Sequence, residues 1–328
     1  MARVLTLEQD AQATLDDCAR RLSEGGLVAL PTETVYGLGA DASNDQAVAG
    51  IFAAKGRPAD HPLIVHVAEP ADAIRFAGEL PDMAQALMEA FWPGPLTLIV
   101  PRRPGVAQAA AGGHDTIGLR CPAHPVAQAL LKACARQGVW GVAAPSANRF
   151  GRVSPTTAAH VDGEFDDGVW VLDGGPCSVG IESTIVDCTR AQPVLLRPGQ
   201  ISRDDIAKVL AAQVADRDAQ APKASGTLEA HYAPNAKVVL FDADQRQALL
   251  DAGTRHGARL GVYSRSVTAP ATAHHRQMPG TAEAAAFELF AVLRELDASG
   301  VDTIWVERPP LDAAWDGVRD RLQRAAAA

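Results

Sequence analysis

The sequence predicts an α/β protein built as two domains, on three observations. At 328 residues the chain exceeds the usual span of one hydrophobic core. Short apolar runs that read as strands alternate with stretches of helical periodicity. From about Gln213 to Ala236 that periodicity gives way to Ala, Asp, Gln, Pro, Ser and Gly, the composition of a linker. We therefore expect a first domain over residues 1–212, a linker over 213–236 and a small C-terminal domain over 237–328.

In the first domain, Thr6 and Gln9 have the spacing of a capping box, and Leu15, Ala19 and Leu22 follow on one helix face until Gly25 and Gly26 stop it. Residues 27–30 form a short apolar strand that runs into the polar turn Pro31, Thr32, Glu33, Thr34. Asn44 or Asp45 caps a second helix, which points Val48, Ile51 and Phe52 inward and ends at Lys55 and Gly56. Further strands are expected at 63–67, 96–100, 116–120, 139–143, 169–172, 183–187 and 194–197. Helical patterns fill 71–91, 125–135, 156–161 and 202–212. After the linker come strand 238–241, a helix to about His256, strand 260–263, helix 282–296, strand 303–306 and helix 311–324. Such β-α repetition implies a small, Rossmann-like parallel sheet with helices on its faces. No G-x-G-x-x-G follows its first strand, which argues against a dinucleotide site there.

Composition narrows the function. The net charge is −9, with most of the acidic excess ahead of Ile206. A protein whose main task is gripping a phosphate backbone is usually basic, so a stable nucleic-acid complex is not expected. Yet Lys55, Arg57, Arg102, Arg103, Arg120, Arg149, Arg152 and Arg197 cluster near Gly, Pro and Ser, which suits either solvated surface charge or one small, highly charged ligand. The five cysteines form no C-x-x-C pair and read as reduced, buried thiols. No run approaches a membrane span and the N-terminus lacks the order of a targeting segment, so a cytoplasmic protein is expected.

The polar residues gather just after strands, where open α/β sheets place their sites. Lys55, Gly56 and Arg57 put two cations around a glycine, which suits a polyphosphate; the dipole of a helix C-terminus would also favour them. Pro145, Ser146, Ala147 and Asn148 precede Arg149, Gly151, Arg152 and Ser154, a dense polar loop. His66 lies inside an apolar strand and Thr116 opens another. Glu182, Ser183, Thr184 and Arg197 supply the remaining polar strand ends. Neither a nucleophile with its base nor a metal-ligand cluster is evident. A polar, cationic site without a nucleophile fits nucleotidyl transfer, in which positioning and charge neutralisation account for most of the catalysis.

These motifs together resemble the threonylcarbamoyl-AMP synthases in their long, two-domain form. The ones that carry the resemblance are P-T-E-T-V-Y-G-L at 31–38, K-G-R-P at 55–58, P-L at 62–63, W-P-G-P-L-T at 92–97, P-S-A-N at 145–148, E-S-T at 182–184 and H-Y-A-P at 231–234. The resemblance implies a YrdC-like first domain, a twisted mixed sheet around a concave cavity. It implies a nucleotidyltransferase that condenses L-threonine, bicarbonate and ATP, with Mg²⁺ on the ATP phosphates, to threonylcarbamoyl-AMP and pyrophosphate. A threonylcarbamoyl transferase machinery would then use that product to modify adenosine in tRNA. Carried over, Thr34, His66, Arg120, Ala144 and Ser183 would contact L-threonine. Arg57, His61, Thr116, Ser146, Asn148, Ser154, Arg197 and Tyr232 would contact ATP, with Lys55, Arg57 and Arg197 as the catalytic cations and Tyr232 as a lid. His61 stands where the family usually has Asn. An RNA-binding or regulatory module on the same fold, or a carbamoyl-adenylate-forming enzyme with another acceptor, are the alternatives.

Overall fold

A computed structural model describes residues 2–7 and 10–328 and divides them into two compact units. The first unit comprises the described residues up to Phe150, with Pro155–Ser178 and Glu182–Thr227; the second comprises Gly151–Ser154, Val179–Ile181 and Leu228–Ala328. Residues 213–227 thus pack with the first unit and 228–236 with the second.

The first unit is a mixed α/β structure built on one large sheet. Its strands are β1 (Arg3–Leu5), β2 (Leu27–Leu30), β3 (Gly37–Asp41), β4 (Ile64–His66), β5 (Leu96–Pro101), β6 (Thr116–Arg120), β7 (Val142–Ala143), β8 (Val169–Leu172), β9 (Thr184–Asp187), β10 (Val194–Arg197) and β11 (Ala215–Asp216). They lie in the order β1-β8-β2-β3-β7-β4-β6-β5-β9-β10-β11. The helices are α1 (Ala11–Ser23), α2 (Asp45–Lys55), α3 (Asp82–Phe91), α4 (Pro125–Arg136), α5 (Ala158–Asp162) and α6 (Arg203–Leu210). Leu15, Cys18, Ala19 and Leu22 of α1 pack with Leu130, Leu131 and Cys134 of α4, the face that the helical spacing called for. All five thiols are buried and free.

Several elements differ from the sequence expectation. Asp10 caps α1 by accepting the Ala13 N–H, while Gln9 of the expected capping box lies outside the described residues. The helical pattern over 71–91 breaks into a 3₁₀ turn, Pro70–Arg75, and α3, because Gly78 and Pro81 intervene and Gly78 donates to Pro101 O instead. The strand expected over 139–143 shortens to two residues. Gly141 faces the Phe76 ring, where a Cβ would sit 2.4 Å from Cζ. Strand β3 was hidden by its glycines: Gly39 leaves room for Val142 and Leu30, where a Cβ would meet atoms at 2.8 and 2.9 Å.

The second unit has a wholly parallel sheet of β12 (Lys237–Phe241), β13 (Leu260–Ser264), β14 (His274–Gln277) and β15 (Thr303–Glu307), in the order β12-β15-β13-β14. Helices α7 (Arg246–His256), α8 (Ala282–Ala298) and α9 (Asp316–Ala326) pack on it. Strand β14 escaped notice because all four of its residues are polar and exposed, as an edge strand permits. The helix expected from Leu311 starts at Asp316, after Pro309, Pro310 and a 3₁₀ turn at Ala313–Trp315. Among the described residues no helix is long and apolar enough to cross a membrane.

Candidate active site

The site grows from the hairpin between β2 and β3. Leu30 pairs with Gly37, so residues 31–36 close a tight turn whose polar groups are buried. Thr32 organises it: its Oγ1 donates to Val35 O (2.6 Å) and accepts the N–H groups of Thr34 and Val35. The Thr34 hydroxyl is then 2.8 Å from that of Thr32 and accepts Arg120 Nη1 at 2.8 Å. Arg120, at the end of β6, also donates through Nε to Gly94 O of the Trp-Pro-Gly-Pro turn and sits 2.7 Å from Glu33 Oε1. His66 and Arg120 are register partners at the ends of parallel β4 and β6. Burial, reinforced by Arg120, pulls the His66 pKa down to about 3, so its imidazole is neutral.

A second loop, residues 144–150, is stitched to the hairpin. Leu38 N–H donates to Pro145 O, Ala147 N–H to Tyr36 O, and Gly37 bridges Ser146. Lys55 fixes this loop from below. Helix α2 ends in a left-handed Gly56 (φ 63°), and the Arg57 N–H returns to Phe52 O, which sends the two flanking cations in different directions. Lys55 Nζ donates to Ser146 O (2.6 Å) and to Asn148 O. Burial, then the nearby Arg57, hold its pKa well below the usual lysine value, while Glu164 and Glu182 oppose that shift. Lys55 therefore bonds across to another loop rather than to its own helix carbonyls, which the helix-dipole reading of K-G-R does not account for.

Arg57 and Arg197 meet through Ser225. Arg57 Nη2 reaches Pro62 O (3.1 Å) and Ser225 Oγ (3.4 Å), and Arg197 Nη1 donates to Ser225 O (2.9 Å). Arg197 also grips Ser183 through its carbonyl (3.0 Å) and hydroxyl (3.1 Å), and that hydroxyl is 2.8 Å from Thr97 Oγ1. Thr116 lies at an apolar niche formed with Pro62, Ile64, Ile99, Ile185 and Ser225. The His61 ring lies 5.6 Å from Phe150, and burial followed by the Arg57 charge lowers its pKa. Ala144 carries the backbone of β7 past β4, donating to Ile64 O.

Comparison with known proteins gives the arrangement a family. Residues 20–199 match the family described as Telomere recombination, and residues 201–327 match that described as Threonylcarbamoyl-AMP synthase, C-terminal domain. The threonylcarbamoyl-AMP synthase of Pyrococcus abyssi is 39% identical over 317 residues, covering 93% of this chain and 91% of its own length. That of Bacillus subtilis is 38% identical over 320 residues, covering 94% and 91%. The chain belongs to the threonylcarbamoyl-AMP synthase family. A solved structure of P. abyssi Sua5 complexed with L-threonine superposes with a TM-score of 0.88 at 35% identity, covering 99% of this chain and 97% of that one.

In this family member Thr34, Lys55, Arg57, His61, His66, Thr116, Arg120, Ala144, Ser146, Asn148, Ser183 and Arg197 all belong to the first unit. Ser154 and Tyr232 belong to the second unit, where Tyr232 packs 5.4 Å from Phe290 and beneath Arg321. Two of the other basic residues are engaged elsewhere: Arg102 donates to His114 O and Val106 O, and Arg152 pairs with Asp297. Sequence reasoning left out Glu33, Thr97 and Ser225. Glu33 was visible as the carboxylate between two threonines of a turn; Ser225 carried no signal, because nothing in a linker composition marks one serine.

Proposed function

We propose that the chain is an L-threonylcarbamoyladenylate synthase that condenses L-threonine, bicarbonate and ATP to threonylcarbamoyl-AMP and pyrophosphate, for modification of tRNA adenosine by a downstream threonylcarbamoyl transferase machinery. The observation that carries this reading is the pairing of two buried cationic centres in one unit: Arg120 beside Thr34, and Arg57 with Arg197 across Ser225. The first suits an amino-acid carboxylate and the second a polyphosphate. The relative of known structure is described as complexed with L-threonine, which supports the amino acid named here. Membership in a synthase family favours catalysis over the RNA-binding or regulatory alternative.

In this reading Thr34, His66, Arg120, Ala144 and Ser183 form the threonine site. Arg57, His61, Thr116, Ser146, Asn148 and Arg197 serve ATP. The threonine amine captures bicarbonate as a carbamate, and a carbamate oxygen attacks the α-phosphorus, expelling pyrophosphate. Arg57 and Arg197 take up charge that grows on the departing group, which is where fixed donors in a dry site contribute most. Lys55 supports them by holding the carbonyls of the 146–148 loop. We assign Mg²⁺ to the ATP phosphate oxygens, where it would add neutralising charge. We place the enzyme in the cytoplasm, where five free thiols remain reduced.

Pyrophosphate release from ATP, measured with threonine, bicarbonate and Mg²⁺ omitted in turn, tests the reading. We expect release only when all three are present. Release at the full rate without threonine would overturn it.

A further inference from the structure

Glu33 has no role in the chemistry derived so far, yet it is the least satisfied charge in the site. Its residue is 7% exposed, and among the described residues neither carboxylate oxygen accepts a hydrogen bond. Arg120 Nη2, its neighbour at 2.7 Å, also lacks a hydrogen bond of good geometry. Buried polar groups are normally satisfied, and a buried ion pair rarely repays its desolvation by Coulomb attraction alone. A charge pair held in contact but out of line is an expense that the fold does not need. The other two edges of the guanidinium are used, by Gly94 O and Thr34 Oγ1, so its orientation is fixed independently of Glu33.

An α-amino acid at neutral pH is itself a pair of opposite charges on adjacent atoms. A fixed guanidinium next to a carboxylate is its complement: the arginine takes the carboxylate and the glutamate takes the ammonium. Insertion of the zwitterion would replace one poorly aligned ion pair by two charge-assisted hydrogen-bonded ones. We propose that Glu33 receives the ammonium of L-threonine and takes its proton, making it the general base for carbamate formation. This inference rests on the synthase reading above.

The ammonium gives one proton to the Glu33 carboxylate. The freed nitrogen lone pair attacks the bicarbonate carbon, the N–C bond forms, and a C–O bond breaks. The departing hydroxide leaves as water with the second amine proton, so a carbamate remains. Other titratable groups around Glu33 do not compete for the first proton. Burial pushes the thiols of Cys121 and Cys177 up to about 11 and about 12, so they are protonated already. Burial lowers the pKa of His124, at the start of α4, although the Glu33 charge opposes that shift.

The test compares kcat for pyrophosphate release, at saturating threonine, across pH in the wild type, Glu33→Gln and Glu33→Asp. At neutral pH we expect Glu33→Gln to fall about 10²-fold or more, the usual share of a general base. That deficit should shrink as pH rises into the range where the threonine amine loses its proton unaided. Glu33→Asp keeps a carboxylate and should retain the wild-type pH profile at reduced rate; it carries the test if the Gln variant does not fold. An unchanged rate and profile in Glu33→Gln would overturn the assignment, as would a deficit equal at every pH, which would leave Glu33 a mere support for Arg120. If the wild type itself needs neither threonine nor bicarbonate, the synthase reading fails and this inference fails with it.

Discussion

Each unit buries a glutamate near the end of a strand, and the two are treated differently. Glu307, ending β15, is 2% exposed and accepts the N–H groups of Arg265 and Ser266, both at 2.8 Å, that of Val267 at 3.3 Å and the Ser266 hydroxyl at 2.5 Å. Three successive backbone donors make a nest for an anion, and the protein fills that nest with its own carboxylate. Burial alone would push the Glu307 pKa up, but those hydrogen bonds outweigh it and hold it below the usual carboxylate range. Among the described residues Glu33 has one ion-pair contact and no aligned donor. The first charge is committed to the fold and the second remains available to a ligand. Burial alone does not separate structural from functional charges; the direction and number of their donors do.

This contrast can be broken in several places. The largest expected effect is in the first unit: Arg57→Ala or Arg197→Ala should lower pyrophosphate release by about 10²-fold or more, the scale for removing a donor to developing charge. Circular dichroism and melting should stay near wild type, and a matching loss of stability would instead mark these arginines as structural. Lys55→Ala should act in the same direction through release of the 146–148 loop. In the second unit, Glu307→Ala strands several buried donors and should cost about 3 kcal/mol or more in denaturant unfolding. Activity per folded molecule should survive, and its loss would show that the second unit contributes to the chemistry through this residue.

Serine in place of threonine should lower kcat/KM about tenfold or more, since one methyl in an apolar niche is worth ~1–3 kcal/mol. Equal rates with the two amino acids would remove threonine as the substrate. Acid sharpens the comparison at the small end. The folded-state pKa of His66 is depressed to about 3, so the unfolded chain binds the proton more readily and stability declines once pH falls below the ordinary histidine range. The slope should not exceed about 1.4 kcal/mol per pH unit for that one group. Glu307 is also depressed, so its contribution is full above the ordinary carboxylate range and is lost only as pH falls through it. Unfolding followed from pH 8 to pH 4 should therefore respond to His66→Asn before it responds to Glu307→Gln.

Most of the fold was legible because its strands are short apolar runs bounded by turn residues. Leu27–Leu30, Thr116–Arg120 and Val169–Leu172 stand where their sequence places them. What escaped notice has physical reasons. The glycines of β3 serve close packing rather than pattern, and the exposed residues of β14 show no apolar face. In the site, residue types and motif order named candidate side chains, but not which way they point. Lys55 reads as a phosphate cation in sequence, yet its ammonium donates to the carbonyls of Ser146 and Asn148 on a distant loop. Glu33 reads as one polar turn residue among several, and its lack of aligned donors is a property of three-dimensional placement alone.

Calorimetric titration of L-threonine into the wild type, Glu33→Gln and Glu307→Gln puts the difference between the two carboxylates to the most direct test. Wild type and Glu307→Gln should bind with the same affinity, and Glu33→Gln should bind about tenfold more weakly or worse, the loss of one charge-assisted hydrogen bond. Undiminished binding by Glu33→Gln, or equal weakening in both variants, would contradict the distinction between a carboxylate kept for a ligand and one committed to the fold.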